Sequence, residues 1–543
     1  MLSVSTNAWL GASIMHQQTD SRRPGTAASH PHSTTAQDRF LRYASKYIDR
    51  QILDKGYNTA GPNEQSVISR ENLGFYHALI VAAVYPLPSS FNPYLKASFY
   101  SALKGCVGEH SYLSVTLEDA NTDKAYFKRV STINLDKHVY IKGLQQQYTS
   151  EDLEDVLASG VDTPFPRDVP PWKVIVYPHE QNCLVAFAFS HALGDGIFGK
   201  AFHRTFSQAL NDPKSSVKTT PPIIQVISGS LPGPFDTPER LPISWSYLIS
   251  SSIAYLVPSL LGRRASASSL DVGTWLGAPI SIAPTRMKLR EVPAATLEKA
   301  IQVARGHNAK LTGLFQHLVA KALSKHLPAD PSVTNFVCAT AINMRKSIGA
   351  SDDEGGLFTS GCAITYPRQD PVTMNKVLTE EDWSAIASTT RQLAEAWSTT
   401  QDQFIGLLKY LPSIRKWLAN KEGTQRSCSF QVSNIGVLET LHDDLYMSGG
   451  NISDVIFATP GEVTGGPLKF TMVSLKGGSL RYVVSWRKVA LDVGELDEGQ
   501  FVESLCSSSS IDLRPGELSS DLPWGTGTRQ ALAERRRSML YRS

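Results

Sequence analysis

The sequence predicts an α/β protein built from two halves of similar size. Strand-like apolar runs and helix-like amphipathic runs alternate irregularly through both halves, and no short tandem repeat is visible. A chain of 543 residues is too long for one ordinary core, and 41% hydrophobic residues are enough to bury more than one. We therefore expect a disordered tail at 1–36, an N-terminal subdomain at 37–220, a crossover segment at 221–275, a C-terminal subdomain at 276–520 and a basic tail at 521–543.

The composition excludes several classes of protein. The 53 basic and 50 acidic residues leave a net charge of only +3, whereas nucleic-acid-binding domains usually show a marked basic excess. The six cysteines are far apart, and no Cys-x-x-Cys pair or histidine cluster has the spacing of a zinc site. The N-terminus lacks the continuous apolar stretch of a secretory signal. These observations predict a cytoplasmic protein with no bound metal.

In the N-terminal subdomain, apolar residues at helical spacing predict helices, and short apolar runs predict strands. Asn92 is a suitable N-cap for the second of these helices, and Gly105 a suitable stop. The last two strands flank a turn and predict a hairpin. The predicted helices are 36–48, 93–104 and 197–210, and the predicted strands (the first a single strand or a pair) are 72–85, 112–117, 172–177 and 183–189.

The crossover segment contains an uncharged apolar run at 245–261 that approaches the length of a membrane span. Several serines and Pro258 interrupt this run, which favours a buried or interfacial helix over a spanning one. At the other end of the chain, residues 528–541 predict a short basic helix, either in a solvated tail or in contact with an anionic membrane.

In the C-terminal subdomain, the same patterns predict a pair of helices and a series of strands. Thr312 is a reasonable N-cap for the second helix. The predicted helices are 294–305 and 311–327, and the predicted strands are 281–289, 335–342, 361–366, 429–433, 468–474 and 480–486.

The clearest candidate for a catalytic feature is an H-x-x-x-D-G motif formed by His191, Asp195 and Gly196. It follows directly on the apolar strand 183–189. A histidine at the end of a buried strand can face a cleft and act as a general base, because its pKa lies near neutrality. Gly194 and Gly196 would serve the backbone conformation and the close approach of substrate. The alternative for His191 is a hydrogen-bonded core histidine without a chemical role.

This motif resembles that of the chloramphenicol acetyltransferase superfamily, which includes BAHD plant acyltransferases and the condensation domains of peptide synthetases. Three further runs resemble its fungal alcohol O-acetyltransferase branch: Ser69–Tyr76, Ala341–Arg345 and Ser429–Gly436. The resemblance spans about residues 37–515. The Asp-Phe-Gly-Trp-Gly run of BAHD enzymes is absent, and one histidine stands where many condensation domains carry two.

The resemblance implies two chloramphenicol-acetyltransferase-like subdomains, with mixed sheets flanked by helices and an active-site cleft or tunnel between them. It further implies an O-acyltransferase that uses acetyl-CoA or another acyl-CoA as co-substrate, with no permanently bound cofactor. The acceptor would be a hydroxylated small molecule, either a secondary metabolite such as a terpenoid or a volatile alcohol. We expect a monomer without nucleic-acid partners, with peripheral membrane contact as an open alternative.

The resemblance also assigns roles around the motif. Asp195 would turn away from the cleft and pair with an arginine, either Arg345 or Arg70, and so hold the loop that carries His191. Ser433 and Asn434 are candidates for oxyanion or substrate contacts, although Ser-Asn-x-Gly is also ordinary turn chemistry. The CoA phosphates would need cations, and the basic residues of the expected half are Lys469, Lys476, Arg481, Arg487 and Lys488, for which solvated surface charge is the simpler explanation.

Two other classes of function compete with the enzyme. The fold could serve as a non-catalytic binding or membrane-associated scaffold, although the intact motif argues against this. An amide-forming condensation enzyme would act on carrier-tethered substrates, and the chain has no room for a carrier domain. The hypothesis of a metal-dependent hydrolase has even less support, because no third metal ligand lies at a suitable spacing.

Overall fold

The computed structural model describes residues 57–143, 149–179, 182–211, 220–227, 231–250, 273–375, 377–439 and 451–508. The predicted tails at 1–36 and 521–543, the helices expected at 36–48 and 528–541, and residues 251–261 of the apolar run lie outside these ranges. The described part of that run, 245–250, is helical.

Besides the helical residues 245–250, the described α-helices are α1 Pro62–Asn72, α2 Tyr100–Glu109, α3 Ser150–Val161, α4 Gly196–Asn211, α5 Ala294–Gly306, α6 Leu311–His326, α7 Glu380–Ser398, α8 Ile414–Ala419 and α9 Glu498–Ser507. The strands are β1 Tyr57–Thr59, β2 Leu79–Pro86, β3 Val115–Glu118, β4 Tyr126–Arg129, β5 Thr132–Asn134, β6 Val139–Ile141, β7 Trp172–His179, β8 Asn182–Phe189, β9 Ile223–Gln225, β10 Thr285–Val292, β11 Asn335–Asn343, β12 Thr359–Pro367, β13 Phe430–Leu438, β14 Asp454–Ala458, β15 Leu468–Leu475 and β16 Leu480–Arg487.

Two mixed sheets organise the molecule. The N-terminal sheet has the order β14-β2-β8-β7-β6, and the C-terminal sheet has the order β10-β16-β15-β13-β11-β12. Most neighbours are antiparallel, but β6 runs parallel to β7, and β13 runs parallel to both β11 and β15. The α/β class with two mixed, helix-flanked sheets is therefore confirmed.

One strand crosses between the two halves of the sequence. β14 belongs to the C-terminal half, yet it pairs antiparallel with β2 at the edge of the N-terminal sheet, from Asp454 opposite Val84 to Ala458 opposite Ile80. The segment 459–467 then returns the chain to β15 in the C-terminal sheet. Residues of both sheets therefore lie next to the segment 459–467.

The alternation of side chains along β2 explains how the layers stack. Val81, Ala83 and Tyr85 point into a core with α2 and α4, while Ile80 and Ala82 point into a second core shared with α3, β10 and β16. The opposite face of the C-terminal sheet packs on α5, α6, α7 and α9. The two sheets are thus joined by buried apolar contacts as well as by β14.

Most long elements agree with the sequence prediction. The hairpin at 172–177 and 183–189 is present as β7 and β8, and helix 197–210 is α4. Helices 294–305 and 311–327 correspond to α5 and α6, and the strands predicted for the C-terminal half correspond to β10, β11, β12, β13, β15 and β16.

The interpretation of 72–85 as strand throughout is wrong. Its first residue ends α1, and Gly74 adopts a left-handed φ of 76°, which terminates a helix and needs a residue without a side chain. The apolar residues that follow, including Phe75 and Tyr76, are buried in a turn, and the strand begins only at Leu79.

Two capping predictions are also wrong. Asn92 accepts a hydrogen bond from the Tyr94 N–H, which makes a turn, and α2 begins later and runs through Gly105 to Glu109. The N-cap of α6 is Lys310, and the hydroxyl of Thr312 accepts a hydrogen bond from the side-chain amide of Asn434 instead. A local turn thus engages Asn92, whereas a tertiary contact engages Thr312.

Candidate active site

The H-x-x-x-D-G loop connects β8 directly to α4. Stacked aromatic rings hold these two elements together, with ring centroids 3.7 Å apart for Phe187 of β8 and Phe202 of α4. Gly196 begins α4, and a Cβ there would lie 2.4 Å from Ile435 Cγ2 of β13. Neither Gly194 nor Gly196 has a positive φ, so close packing rather than backbone freedom requires these glycines. The loop is therefore fixed at both ends.

The imidazole of His191 has a defined tautomer. Its Nδ1 lies 2.9 Å from the carbonyl oxygen of Gly194, and a carbonyl can only accept a hydrogen bond. Nδ1 must therefore carry the proton, which leaves Nε2 with a lone pair. Because His191 lines a cavity, Nε2 is the basic nitrogen available to a bound molecule.

The surroundings of His191 keep its ring neutral. Burial lowers the pKa of the imidazole, and the nearby ammonium of Lys469 lowers it further, while the Gly194 carbonyl and Asp195 act in the opposite direction. The net effect is a pKa below the usual value of 6.5. A neutral ring is the form that can accept a proton.

Beneath the loop lies Glu71, a residue that the sequence prediction did not single out. Its carboxyl group accepts hydrogen bonds from the Ser190 hydroxyl at 2.8 and 2.9 Å and from the His191 N–H at 2.9 Å. Burial raises the pKa of Glu71 to about 8, although these hydrogen bonds oppose the shift. Glu71 belongs to the run Ser69–Tyr76, which was the one signal that could have found it.

Asp195 borders the cavity, and its carboxylate is directed to Arg345. Its carboxylate lies 2.7 Å from a guanidinium nitrogen of Arg345, and it also accepts hydrogen bonds from the backbone N–H groups of Ile197 and Phe358. Burial alone would raise the pKa of Asp195, but the Arg345 charge and the hydrogen bonds reverse this and lower it. Of the two candidate arginines, Arg345 contacts Asp195, whereas Arg70 lies 3.8 Å from Glu462.

Arg345 is fully buried, and it ties the motif to the C-terminal half. Its guanidinium donates to the carbonyl oxygens of Glu354 and Gly356 and lies over the ring of Phe358, 4.4 Å from the centroid. The Asp195–Arg345 pair therefore links the start of α4 to the segment between β11 and β12. This link fixes the loop that carries His191.

The cavity has a volume of about 190 Å³ and is lined by both halves of the chain. Small side chains on β11 and β12, including Ala339, Ala341 and Gly361, leave open space opposite His191. Polar side chains of α1, of β13 and β15, and of the segment after β14 line the remaining wall: Arg70, Gln431, Ser433, Asn434, Thr459, Glu462 and Lys469.

Ser433 and Asn434 both line this cavity, but they lie within β13 rather than at its end. The pairing of β13 with β15 shifts register between Asn434 and Val437, and Gly436 there has a φ of 74°. The amide of Asn434 donates to Thr312 and accepts the Gly436 N–H at 2.8 Å. Asn434 thus shapes the bulge, while the hydroxyl of Ser433 borders the open space.

Arg70, Glu462 and Lys469 form a charged group in one wall. Glu462 lies 3.8 Å from Arg70 and 3.6 Å from Lys469. Although burial would raise the pKa of Glu462, the neighbouring cations lower it to about 2, so the carboxylate is ionised. Its segment is held by buried arginines, because Arg426 donates to the carbonyl oxygens of Glu462 and Val463 and Arg487 donates to that of Gly461.

The other basic residues considered for CoA have different surroundings. Arg481 pairs with Asp454 and Glu291, and Arg487 pairs with Asp162. Lys476 and Lys488 are exposed. Among the described residues, no cluster of three or more His, Cys, Asp or Glu side chains has an arrangement suited to a metal ion. Likewise, no described helix combines the length and apolar character needed to cross a bilayer.

Solved structures with a similar fold are acyltransferases and peptide-synthetase domains. The TRI3 trichothecene 15-O-acetyltransferase of Fusarium sporotrichioides superposes with a TM-score of 0.59 at 12% identity, covering 84% of this chain and 94% of that one. The epimerization domain of the third module of tyrocidine synthetase B superposes with a TM-score of 0.53 at 14% identity, covering 86% and 96%. The fold class is therefore that of the chloramphenicol-acetyltransferase-like proteins.

The sequence profile of the alcohol acetyltransferase family matches residues 109–490. Two curated relatives agree with it: the probable alcohol acetyltransferase crmB of Aspergillus fumigatus, 20% identical over 80% of this chain and 96% of the relative, and the probable alcohol acetyltransferase FCK4 of Fusarium pseudograminearum, 21% identical over 81% and 92%. This chain belongs to the alcohol acetyltransferase family, and it is an O-acetyltransferase. The resemblance noted in the sequence is confirmed.

Proposed function

We propose that this O-acetyltransferase moves an acetyl group from acetyl-CoA directly to a hydroxyl of a small molecule, with His191 as the general base. The observation that carries the proposal is the contact between His191 Nδ1 and the Gly194 carbonyl oxygen, which leaves the basic Nε2 at the cavity. An alcohol is a poor nucleophile at neutral pH, so its proton must leave as it attacks a carbonyl carbon.

The reaction balances with one histidine. The acceptor hydroxyl gives its proton to His191 Nε2 while its oxygen bonds to the thioester carbonyl carbon. The resulting tetrahedral oxyanion collapses by breaking the carbon–sulfur bond, and protonated His191 returns the proton to the CoA sulfur. The products are the acetate ester and free CoA, and no covalent acyl-enzyme is required.

The oxyanion needs a hydrogen-bond donor aimed at the developing charge. We assign this role to the Ser433 hydroxyl, because it lines the same cavity as His191 while the Asn434 amide is engaged with Thr312 and Gly436. The Asp195–Arg345 pair would act only through the geometry of the loop. The acceptor class remains the one expected from the resemblance, a hydroxylated secondary metabolite or a volatile alcohol.

The test is release of free thiol from acetyl-CoA in the presence of a panel of alcohols. His191→Ala should reduce this release by about 10²–10⁴-fold, the usual contribution of a general base. His326→Ala, at the end of α6, serves as the control and should leave it unchanged. Undiminished thiol release by a folded His191→Ala protein would contradict the mechanism, and a protein that neither binds acetyl-CoA nor releases thiol would support the scaffold alternative.

A further inference from the structure

Six polar side chains converge at one end of the cavity. They are Arg70, Tyr76, Gln431, Thr459, Glu462 and Lys469, and we call this group the polar corner. It lies close to the reacting centre, because the ring centroids of Tyr76 and His191 are 6.1 Å apart. The Lys469 ammonium is also near enough to influence the His191 imidazole. A group bound in the polar corner would therefore belong to the same molecule as a hydroxyl at His191.

Several polar atoms of this corner lack partners. Arg70 Nε, Gln431 Oε1 and Thr459 Oγ1 are buried, yet they have no hydrogen-bond partner within the described ranges. Thr459 is only 2% exposed. Buried polar atoms in native proteins are almost always hydrogen-bonded, so donors and acceptors left open in one wall of a cavity indicate a polar ligand.

The charges of the corner do not balance either. Arg70 and Lys469 share a single ionised carboxylate, Glu462, and burial lowers the pKa of Lys469, so the corner holds one more basic side chain than ionised carboxylates. Neighbouring groups do not supply the missing anion: Asp162 pairs with Arg487, and burial keeps Glu71 largely protonated near neutral pH by raising its pKa to about 8. A mostly buried cation without a counter-ion is unfavourable, so the ligand should bring a negative charge.

That negative charge does not come from acetyl-CoA. The phosphates of CoA are separated from the thioester by the long uncharged pantetheine arm, so none of them can reach a corner beside His191 while the thioester reacts there. The charge must be carried by the acceptor. A carboxylate fits best, since two oxygens can accept from both cations and from the Thr459 hydroxyl.

We propose that the polar corner binds a carboxylate of the acceptor, so that the substrate is a hydroxy acid rather than a neutral volatile alcohol. This inference rests on the proposed function and narrows its acceptor class. The backbone of the polar corner is held in place before binding, because Arg426 and Arg487 donate hydrogen bonds to the carbonyl oxygens of Glu462 and Gly461. These hydrogen bonds hold the backbone of residues 461–463 in place.

Binding can be tested without turnover. Carboxylic acids of graded size, each paired with the primary amide of the same skeleton, are compared by isothermal titration calorimetry on the full-length protein. Acids should bind at least about tenfold more tightly than their amides, which corresponds to about 1.4 kcal/mol. Lys469→Met and Arg70→Met should abolish this preference, while Lys299→Met, an exposed lysine of α5, should retain it. Equal binding of acid and amide, or a preference that survives both corner variants, would overturn the proposal.

A second arm uses the reaction. Hydroxy acids should be acetylated with a higher kcat/KM than their methyl esters, and Glu462→Gln should increase that ratio because it removes the competing carboxylate. A purely structural role of Glu462 would lower both rates equally and leave the ratio unchanged, against the proposal. His191→Ala separates this proposal from the proposed function, since it should abolish thiol release yet keep the preference for acids in calorimetry.

Discussion

The Gly194 carbonyl oxygen accepts a hydrogen bond from Nδ1 of His191, at 2.9 Å, within one tight loop. The same loop therefore supplies both the base and the group that fixes its tautomer. In many enzymes a carboxylate orients the catalytic histidine. Here Asp195 faces Arg345, and a neutral carbonyl takes the place beside the ring. The Nδ1 hydrogen bond of the ring is consequently made to a neutral group and not to a carboxylate.

The pH profile of kcat/KM should reflect this environment. The His191 pKa is lowered, first by burial and then by Lys469, so the base stays neutral and active below its ordinary pKa of 6.5. The acid limb should lie below pH 6.5. Lys469→Met should move that limb to higher pH, because it removes a nearby positive charge. Rates measured with a neutral alcohol from pH 4.5 to 8.5 provide the check, and an unmoved limb would mean that Lys469 does not act on His191.

Glu71 should behave as a positioning residue. Glu71→Ala removes the acceptor of the Ser190 and His191 hydrogen bonds and should lower kcat at least about tenfold with little change in KM for acetyl-CoA. Glu71→Gln keeps one acceptor oxygen and should recover most of the rate. If Gln and Ala variants were equally slow in steady-state assays, Glu71 would act through its charge or proton instead.

The Asp195–Arg345 pair should be strongly coupled. Asp195→Asn leaves Arg345 buried without a counter-charge, which we expect to reduce the free energy of unfolding by about 3–5 kcal/mol. The double variant Asp195→Asn/Arg345→Met should recover part of this stability in urea denaturation, without recovering acetyl transfer. Additive losses in the double variant would show that the two side chains are independent.

Gly196→Ala should disrupt the start of α4. A Cβ at this position would approach Ile435 Cγ2 to 2.4 Å and the Phe457 ring to 2.9 Å, an overlap that typically costs about 1–3 kcal/mol. Gly108→Ala is the matched control, because no atom lies within 4 Å of its added Cβ and alanine favours a helix. Thermal unfolding of both variants decides the matter, and equal midpoints would refute the packing argument.

A second buried carboxyl, Glu64, should make stability depend on pH. Burial is the main cause that raises its pKa from 4.5 to about 8, so between these values the folded state holds a proton that the unfolded state has lost. Stability must then fall as pH rises through this window, by at most about 1.4 kcal/mol per pH unit. The free energy of unfolding of Glu64→Gln, relative to the native sequence, should therefore increase from pH 5 to pH 8 in denaturant titrations. A constant difference would show that Glu64 is ionised when folded.

Elements with strong local patterns were predictable. The β7–β8 hairpin and α4 have uninterrupted apolar periodicity, and the motif that joins them is short and contiguous. By contrast, α1 consists largely of polar residues such as Asn63, Glu64 and Gln65, which are buried by tertiary contacts, so its sequence lacks an apolar stripe. The local sequence predicts Thr312 as a helix cap, but its hydrogen-bond partner, Asn434, lies 122 residues away and leaves no local signal.

The same distinction holds for the candidate site. His191 could be found from its own neighbourhood, and the resemblance reduced the partners of Asp195 to two arginines. The choice of Arg345 over Arg70 depends on how the segment between β11 and β12 folds back onto α4. Glu71 is far in sequence from Glu462 and Lys469, which lie after β14, the strand of the C-terminal half that pairs with β2. No local sequence pattern indicates that these residues lie near the same loop.

The pairing of β14 with β2 also determines when the N-terminal sheet can be completed during translation. Ser453 donates its N–H to the carbonyl oxygen of Val84, 369 residues earlier in the chain. Until the codons for β14 have been translated, the nascent N-terminal sheet exposes the unpaired edge of β2, with Ile80, Val81 and Ala82 along it. An open apolar edge is a site for intermolecular association. Chaperone capture of stalled nascent chains should therefore peak while β2 is outside the ribosomal tunnel and decline once β14 emerges.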